Sequence, residues 1–352
     1  ERGGRYNRNQ QARAGGHGDQ GGRGAQMAIM GVARAVYGVD DLDLCTRFFT
    51  DYGLDLREKT AEKVVFELED GAQVVLHKKD DPSLPKAWFD GNGIKETIWG
   101  VDTADALEHL VEGVKTDREV RRDNDGTAHF IADDGMPQGL MVYRPRPVVS
   151  AADEINTPAK AARVNRNRTW RKRANPKSIA HVVFQVADPM KSYQFFKERL
   201  HFRLSDTQRR LGCYARADGS HEHHNIFFFN ADYLPPPVRK LGFNHTAFAC
   251  DDIDEMMVGA NYLERQGWAT RRPGGFVGLG RHRISSALFY YIPCPAGGHA
   301  EYLADQDYLD DSWMPRDWEE SFGGSVWIHD IPEHLKKPYS WDVKYFDESA
   351  AK

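Results

Sequence analysis

The residues that could do chemistry are concentrated in residues 280–301 and on two strand-like segments that precede them. His181 and His245 each lie inside an apolar run that alternates like a half-buried β-strand, and Glu301 lies in a third such run. Two imidazoles and one carboxylate form the set that binds non-haem ferrous iron and leaves adjacent coordination positions open. A buried carboxylate is costly without a cation, so the apolar context of Glu301 also favours a metal. The sequence therefore predicts a mononuclear metal site formed by His181, His245 and Glu301.

The elements that must position these residues belong to an internal repeat, because one type of module is used four times from residue 31 onward. Each copy opens with an alternating strand and continues with an Asp-containing turn, an amphipathic helix and two or three further strands. The first strands begin near residues 33, 95, 180 and 244, and the helices are predicted at 42–52, 104–114, 190–200 and 253–266. The Asp residue that follows each first strand (Asp40, Asp102, Asp188 and Asp251) is the predicted helix N-cap. We expect an α+β fold of four βαβββ modules paired into two domains, each a curved mixed sheet around a cavity.

The repeat also bears on whether the two histidines are ligands, since a lone His on an apolar strand is more often a core residue. Aligning the modules gives His181 and His245 equivalent positions in the third and fourth copies. The matching positions of the first two copies hold Arg34 and Glu96, with Met141 near the last strand. These three side chains cannot assemble the same site, so we expect the N-terminal pair to be a structural half without metal.

The predicted organisation has five parts. Residues 1–26 are poor in apolar side chains and rich in Gly, Arg and Gln, which is typical of a disordered tail or a vector-derived leader; an RNA-binding arm is the alternative. Residues 27–146 form the N-terminal non-metal pair, and residues 178–310 form the C-terminal catalytic pair. A basic linker, 147–177, is expected to be a solvated connector or an oligomer contact rather than a nucleic-acid patch. The Trp-rich tail, 311–352, is expected to pack over a domain or a neighbouring subunit.

Composition restricts the possible partners and the compartment. The net charge of −5 argues against nucleic acid as the main partner, because phosphate binding needs a basic surface. The four cysteines are far apart and form no CxxC pair, which is unlike a disulfide framework or a zinc ribbon and favours the cytoplasm. No apolar run approaches the roughly 18 residues of a membrane helix, and no signal peptide is recognisable. We therefore expect no nucleic-acid partner and no membrane partner.

Paired βαβββ modules around a cavity resemble the vicinal oxygen chelate (glyoxalase/bleomycin resistance) superfamily, and the second pair is similar to the type I extradiol catechol ring-cleaving dioxygenases. The resemblance spans residues 31–310, but its motifs lie in residues 180–305, including Gly298-His299-Ala300-Glu301-Tyr302. It implies that His181, His245 and Glu301 hold Fe(II), although Mn(II) fits the same ligands. It also implies an oxidoreductase of aromatic-compound degradation, which inserts both atoms of O2 into a catechol-type substrate.

The resemblance further implies an acid–base and hydrogen-bonding shell around the metal. His224 resembles the family's acid–base histidine, which precedes a short apolar strand. Its neighbour His223 is the competitor, since strand alternation directs the two side chains to opposite faces. The alternative is that His221, His223 and His224 form a solvated loop cluster. Tyr291 and His282 precede Glu301 at the family's spacing, so Tyr291 would hydrogen-bond the diol and His282 would orient it.

The identity of the substrate is not fixed by these motifs. Some biphenyl-diol-cleaving relatives carry an Asp three residues after the equivalent of His282, and this chain has Ser285 there. Arg281, Arg283 and Ser285 are the remaining candidates for contacts with the substrate. The stretch that follows Glu301 is similar to enzymes that cleave carboxylated catechols such as dihydroxy-cumate. Carboxylated, aryl- and alkyl-substituted catechols therefore stay open, as does the site of ring cleavage.

Other functions fit the same fold. A zinc- or nickel-dependent isomerase or lyase would need four protein ligands and would lack the shell of His224, His282 and Tyr291. A hydroquinone or hydroxyphenylpyruvate dioxygenase would share the three ligands. A ligand-sequestering module without chemistry would have lost one of them. Relatives with two such pairs commonly assemble, so we also expect a homo-oligomer, a tetramer or larger.

Overall fold

The computed structural model describes residues 28–234, 239–270 and 278–351. The predictions made for residues 1–26 lie outside these ranges. None of the helices within them has the length and apolar character of a membrane span.

The N-terminal half contains two modules that share one sheet. The first comprises β1 (Ile29–Val39), α1 (Leu42–Tyr52), β2 (Asp55–Lys59), β3 (Lys63–Glu67) and β4 (Gln73–Lys78). The second comprises β5 (Gly93–Val101), α2 (Ala104–Lys115), β6 (Arg121–Arg122), β7 (Ala128–Ile131) and β8 (Pro137–Val142). The eight strands are ordered β2-β3-β4-β1-β5-β8-β7-β6, so the first strands of the two modules are antiparallel neighbours at the centre.

The C-terminal half repeats this arrangement. The third module comprises β9 (Ser178–Val186), α3 (Pro189–Leu200), β10 (Arg203–Gln208), β11 (Gly212–Arg216) and β12 (Ile226–Asn230). The fourth comprises β13 (Gly242–Ala249), α4 (Ile253–Arg265), β14 (Gly278–Arg281), β15 (Leu288–Pro293) and β16 (His299–Ala304). Their strands follow the same order, β10-β11-β12-β9-β13-β16-β15-β14. The predicted α+β fold of four βαβββ modules is confirmed.

The tail extends the C-terminal sheet at both edges. It comprises β17 (Arg316–Trp318), the short helix α5 (Glu320–Gly324), β18 (Trp327–Ile328) and β19 (Val343–Tyr345). β17 pairs with β10 and carries β19, whereas β18 pairs with β14 at the opposite edge. The sheet therefore has eleven strands, and the tail packs on the half that carries the predicted metal ligands.

The helices occupy the predicted positions, but three of the four predicted caps are wrong by one residue. The observed N-caps of α1–α4 are Asp41, Thr103, Asp188 and Asp252. In each case the side-chain oxygen accepts a backbone N–H of the first turn, which would otherwise have no partner. Before α1, α2 and α4 the residue after the predicted Asp also has a side-chain oxygen that can accept a hydrogen bond. That residue directly precedes the helix, so it is the N-cap.

The sheet register brings the predicted ligands to one face. His181 on β9 lies opposite Ala247 on β13, and Ala247 lies opposite Glu301 on β16. Side chains two residues apart on a strand share a face, so His245 on β13 lies on the same side as Ala247. The central strands thus deliver two imidazoles and one carboxylate from three adjacent strands.

The same register corrects the alignment of the N-terminal half. Arg34 lies opposite Ile98, and Ile98 lies opposite Gly139 on β8. The position equivalent to Glu301 is therefore Gly139, not Met141. Because glycine offers no side chain, the N-terminal half has no donor there.

One hydrophobic core joins the two sheets and all four long helices. Helix α1 packs on α4, and α2 packs on α3. Between the halves the hydroxyl of Tyr37 is hydrogen-bonded to Thr246 (2.7 Å), and the ring of Tyr52 stacks on Tyr302 with centroids 4.1 Å apart. Thr246 and Tyr302 directly follow His245 and Glu301 on their strands, so the N-terminal half packs on the face of the sheet opposite to the predicted ligands.

The segment between the halves follows the surface of the fourth module. Within residues 143–177 the only β-pairing is an isolated bridge between Thr157 and Lys160. Arg171 pairs with Asp251 at 3.0 Å, and Arg168 pairs with Asp252 at 3.2 Å. These ion pairs anchor the basic linker beside the N-terminus of α4, and an oligomer contact through the linker stays a prediction.

Candidate metal centre

Three donor atoms from the predicted ligands converge on one point. The Nε2 atoms of His181 and His245 are 3.4 Å apart, and they lie 3.2 and 3.1 Å from Oε2 of Glu301. The exposed fractions of the three residues are 3%, 7% and 0%. Among the described residues this is the only group of three or more His, Cys, Asp or Glu side chains close enough to share an ion.

The surroundings of Glu301 fit a bound cation. Apart from the two imidazoles, neither of its carboxylate oxygens has a partner among the described residues, and a buried carboxylate with so few partners is costly. Burial raises the pKa of Glu301, but the two imidazoles beside it outweigh that effect and hold the pKa at about 2. The group is therefore an anion. Ligands at right angles around one ion, with bonds of about 2.1 Å, would be about 3.0 Å apart, close to the observed separations.

Burial and hydrogen bonding also prepare the two imidazoles to bind a metal. Burial lowers the pKa of His181, although Glu301 opposes the shift, so this ring is held neutral. Nδ1 of His245 lies 2.7 Å from the side-chain oxygen of Asn244, an acceptor, so Nδ1 carries the proton and Nε2 offers its lone pair. A partner of this kind fixes the tautomer and orientation of a metal-bound histidine.

His224 lies directly against the centre. It precedes β12, is 4% exposed, and its ring stacks on His181 with centroids 4.1 Å apart. His223 is completely buried behind it, with its Nδ1 3.1 Å from Nδ1 of His224 and its Nε2 3.1 Å from Asp206. Only His221 is exposed, and it bonds the carbonyl of Leu309. The three histidines therefore do not form a solvated cluster.

Tyr291 and His282 lie on the other side of the centre. Tyr291 is opposite Glu301 in the sheet, and its ring centroid is 5.0 Å from that of His245. Its hydroxyl is 3.1 Å from Nε2 of His282, whose Nδ1 is 2.7 Å from the carbonyl oxygen of Gly324. Burial raises the pKa of Tyr291 well above its ordinary value and lowers that of His282. Both groups are therefore neutral, and the tail fixes the orientation of His282.

The remaining predicted contacts lie elsewhere. Arg281 pairs with Asp305 at 2.9 Å and donates to the carbonyl of Ser286. Ser285 is buried, and its carbonyl accepts the backbone N–H of Asp307. Arg283 donates to two carbonyls of the tail and covers the ring of Phe322. Within the described residues, none of these three side chains contacts the three donors, so their role in binding substrate stays a prediction.

An apolar cluster continues the face that carries His181. Its members, here called the apolar wall, are Val183, Tyr214, Phe227, Ile284, Trp318 and Phe322. Val183 is two residues after His181 on β9, and the ring of Tyr214 lies 5.0 Å from that of His224. The wall therefore borders the centre on the side of His224.

Sequence reasoning missed two contributors to the site. Asp206 on β10 is fully buried, but its strand is RLSDTQ, a polar stretch without the apolar context that identified Glu301. Gly324 contributes only a backbone carbonyl, which no residue type could reveal.

Comparisons with known proteins agree with this picture. Residues 178–275 match the Glyoxalase/Bleomycin resistance protein/Dioxygenase superfamily, which confirms the predicted resemblance for that part of the chain. Metapyrocatechase 2 of Cupriavidus necator is 26% identical over 174 residues, 48% of this chain and 49% of that protein. The manganese-dependent 2,3-dihydroxybiphenyl 1,2-dioxygenase of Geobacillus genomosp. 3 is 27% identical over 147 residues, 41% and 45% of the two chains. The chain thus matches about half the length of these curated relatives.

Solved structures extend the likeness to nearly the whole chain. The Mn(II)-bound glyoxalase from Novosphingobium aromaticivorans superimposes with a TM-score of 0.67 and 19% identity, covering 93% of this chain and all of the other. At that identity the likeness shows the fold alone.

Proposed function

We propose that this chain is an extradiol dioxygenase of the Glyoxalase/Bleomycin resistance protein/Dioxygenase superfamily, which opens the ring of a catechol-type diol with O2. The observation that carries the proposal is the arrangement of His181, His245 and Glu301 as a buried three-donor set. His224 lies against one side of it, with Tyr291 and His282 on the other. The relatives named as a metapyrocatechase and as a 2,3-dihydroxybiphenyl 1,2-dioxygenase support the same reaction.

The cofactor that suits this donor set is Fe(II), and Mn(II) fits the same ligands. When bound, it would bring the diol and O2 together at adjacent positions and let electron density pass between them. Two neutral imidazoles and one carboxylate leave a divalent ion with a net charge near +1, which favours binding of an anionic oxygen donor.

The protein's own contribution begins with proton transfer. A diol must lose a proton to become a good ligand, and His224 is the neutral base beside the centre. Its Nδ1 is engaged with His223, so Nε2 is the atom that would take the proton and later return it to the opened product. Burial lowers the pKa of His224 well below its ordinary value, so the ring is held as a base before substrate arrives.

Tyr291 and His282 would hold the second hydroxyl. The carbonyl of Gly324 can only accept, so Nδ1 of His282 is the donor and Nε2 is left to accept the Tyr291 hydroxyl proton. The oxygen of Tyr291 then presents lone pairs and would accept a hydrogen bond from the diol oxygen that keeps its proton. One oxygen would thus face a base and the other an acceptor, which gives the unequal deprotonation that the reaction needs.

The apolar wall bears on the substrate class. The wall presents aliphatic and aromatic side chains, and the two nearby arginines, Arg281 and Arg283, are occupied by Asp305 and by tail carbonyls. We therefore favour a catechol with an apolar alkyl or aryl substituent over the carboxylated diols that the tail sequence suggested, since an unpaired buried carboxylate is costly.

The test is anaerobic reconstitution with Fe(II), followed by oxygen uptake and near-ultraviolet/visible spectra with simple, alkyl-, aryl- and carboxy-substituted catechols. We expect one O2 consumed per diol and a new yellow chromophore. His245→Ala should abolish both, whereas His221→Ala, a surface histidine, should retain them. If no catechol supports uptake although one metal ion is tightly bound, the dioxygenase proposal is wrong and an isomerase, lyase or binding protein is favoured.

A further inference from the structure

A buried row of three polar side chains, Asp206, His223 and His224, runs from β10 to the metal centre. We propose that Asp206 and His223 are positioning residues, which fix the tautomer and orientation of His224 so that its Nε2 meets the substrate without a proton. The task of His224 rests on the proposed function, but the row itself is a property of the fold.

Asp206 sets the direction of the first hydrogen bond. The carboxylate is completely buried, and its Oδ1 accepts the backbone N–H of Arg316 on β17 at 2.6 Å. Its Oδ2 lies 3.1 Å from Nε2 of His223. An ionised carboxylate can only accept hydrogen bonds, and a buried one needs them, so Nε2 of His223 carries a proton.

The position of the proton on His223 determines the position of the proton on His224. A neutral imidazole has one N–H and one bare nitrogen, so protonation at Nε2 leaves Nδ1 of His223 as an acceptor. That atom lies 3.1 Å from Nδ1 of His224. A hydrogen bond between two nitrogens needs one donor, so Nδ1 of His224 carries the proton and its Nε2 is bare. This is the tautomer that a general base must have before it accepts a proton from a diol.

Tyr214 restricts the orientation of both rings. Its ring meets His223 and His224 edge to face, with centroids 5.8 and 5.0 Å apart. Tyr214 is itself held, because its hydroxyl donates to Gln208 at 2.7 Å and its ring stacks on Phe227 at 4.0 Å. A flip of either imidazole would exchange a nitrogen for a carbon at one of the two contacts and break the row.

The two adjacent histidines therefore have complementary tasks. The sequence presented His223 as a competitor of His224 for the role of acid–base group. In the structure only His224 stacks on a metal ligand, and His223 lies between it and a buried carboxylate. The opposite tautomer of His224 would require His223 to carry protons on both nitrogens, or Asp206 to donate.

The first test reads the tautomers directly and does not depend on turnover. Long-range ¹H–¹⁵N correlation spectra of the full-length protein, metal-free and loaded with diamagnetic Zn(II), should show Nε2–H for His223 and Nδ1–H for His224. In Asp206→Asn the amide nitrogen can donate to Nε2 of His223, so both tautomers should reverse. Asp317→Asn, a change on the neighbouring strand β17 that removes a partner of Arg209 instead, should leave both tautomers as they are.

A second pair of variants covers the case in which Asp206→Asn fails to fold. His223→Gln offers an amide N–H to Asp206 and a carbonyl to Nδ1 of His224, so the Nδ1–H tautomer of His224 should persist. His223→Leu offers neither, and the tautomer of His224 should become mixed. The idea is overturned if wild-type His224 carries its proton on Nε2, or if neither Asp206→Asn nor His223→Leu changes the tautomer.

The second test is kinetic and uses the Fe(II)-loaded enzyme with its best catechol. Asp206→Asn should lower kcat by about 10²–10⁴, the usual contribution of a correctly protonated acid–base group, with unchanged metal content and a KM within a few-fold of wild type. Asp206→Glu, which keeps an acceptor, should recover part of kcat. If no catechol is turned over, the proposed function fails while the tautomer result stands. If kcat of Asp206→Asn is unchanged although its tautomers reverse, the positioning role is wrong and ring cleavage stands.

Discussion

At the scale of single residues, Glu301 determines what the centre can hold. It supplies the only negative charge of the three-donor set, and apart from the two imidazoles its oxygens have no partner among the described residues. Glu301→Gln removes that charge, so we expect the affinity for Fe(II) or Mn(II) to fall by more than the about 10–100-fold that loss of an outer hydrogen-bond partner costs. Metal titration with elemental analysis of the dialysed protein measures this loss.

Glu96→Gln is the matched control, because Glu96 occupies the position in the N-terminal half that His245 occupies in the C-terminal half. Its carboxylate contacts His129 at 2.7 Å and takes no part in the metal centre. The variant should keep the metal content of the wild type. If Glu301→Gln retains one tightly bound ion, or if Glu96→Gln loses it, the assignment of the donor set is wrong.

Single residues also show which parts of the site could be predicted from the sequence. His181, His245 and Glu301 could be found because each is a polar residue in an apolar strand, and because the repeat gave the two histidines equivalent positions. His224, Tyr291 and His282 needed a family pattern, since their distances to the ligands come from loops and from sheet curvature. Asp206 lies in a polar strand, and its contact with His223 depends on strand pairing and a loop, which no local pattern contains.

At the scale of elements, the apolar wall makes a prediction about substrates. It is contributed by three strands of the third module, β9, β11 and β12, by the loop after β14, and by β17 and α5 of the tail. We expect kcat/KM for alkyl- or aryl-substituted catechols to exceed that for carboxylated ones by about 10-fold or more, because poorly matched groups in an apolar pocket lose about 1–3 kcal/mol. Steady-state oxygen uptake with the catechol series measures this preference.

Ile284→Ala tests whether the apolar wall causes the preference for alkyl- or aryl-substituted catechols. Trimming this side chain should lower kcat/KM for the substituted diols and leave unsubstituted catechol nearly unchanged, because only the substituent reaches the wall. A carboxylated catechol as the best substrate would contradict the prediction. Arg281 or Arg283 would then be favoured as the partner of the substrate carboxylate.

The elements themselves were predictable where the signal is local. The four long helices have amphipathic periodicity and good caps, so the sequence located them, and the cap positions differed only where two acceptors are adjacent. The tail strands β17, β18 and β19 have two or three residues each, and they exist because β10 and β14 leave edges to pair with. Strands that depend on a partner's edge in this way have little pattern of their own.

At the scale of the whole molecule, the two halves use one geometry for different purposes. In the N-terminal half the site-equivalent positions form an ion-pair network. Arg34 lies 3.7 Å from Asp125, and His129 bridges Glu96 at 2.7 Å and Asp123 at 3.0 Å. Because this half shares a core with the metal-bearing half, its network contributes to the stability of the sheet that holds the ligands.

The network predicts a pH dependence of stability with a definite sign. Burial lowers the pKa of His129, but Glu96 and Asp123 outweigh burial and the repulsion of Arg121, so the folded pKa lies above the ordinary value of 6.5. A group with a raised folded pKa stabilises fully below its unfolded pKa, and that contribution is lost as the pH rises through the folded pKa. Glu96→Gln removes the main partner of His129. The Tm of metal-free wild type should therefore exceed that of the variant most near pH 6, by a few degrees.

The difference between wild type and Glu96→Gln should then shrink as the pH rises above 6.5 and through the folded pKa of His129, which thermal unfolding at a series of pH values measures. Taking the difference removes the other titrating groups, which the two proteins share. Glu108→Gln is the control: it loses a surface pair with Arg122, whose charge does not change in this range, so its Tm difference should stay constant. If the Glu96→Gln difference is flat or grows with pH, His129 is not charged in the folded protein. Glu96 and His129 would then be joined by a neutral hydrogen bond.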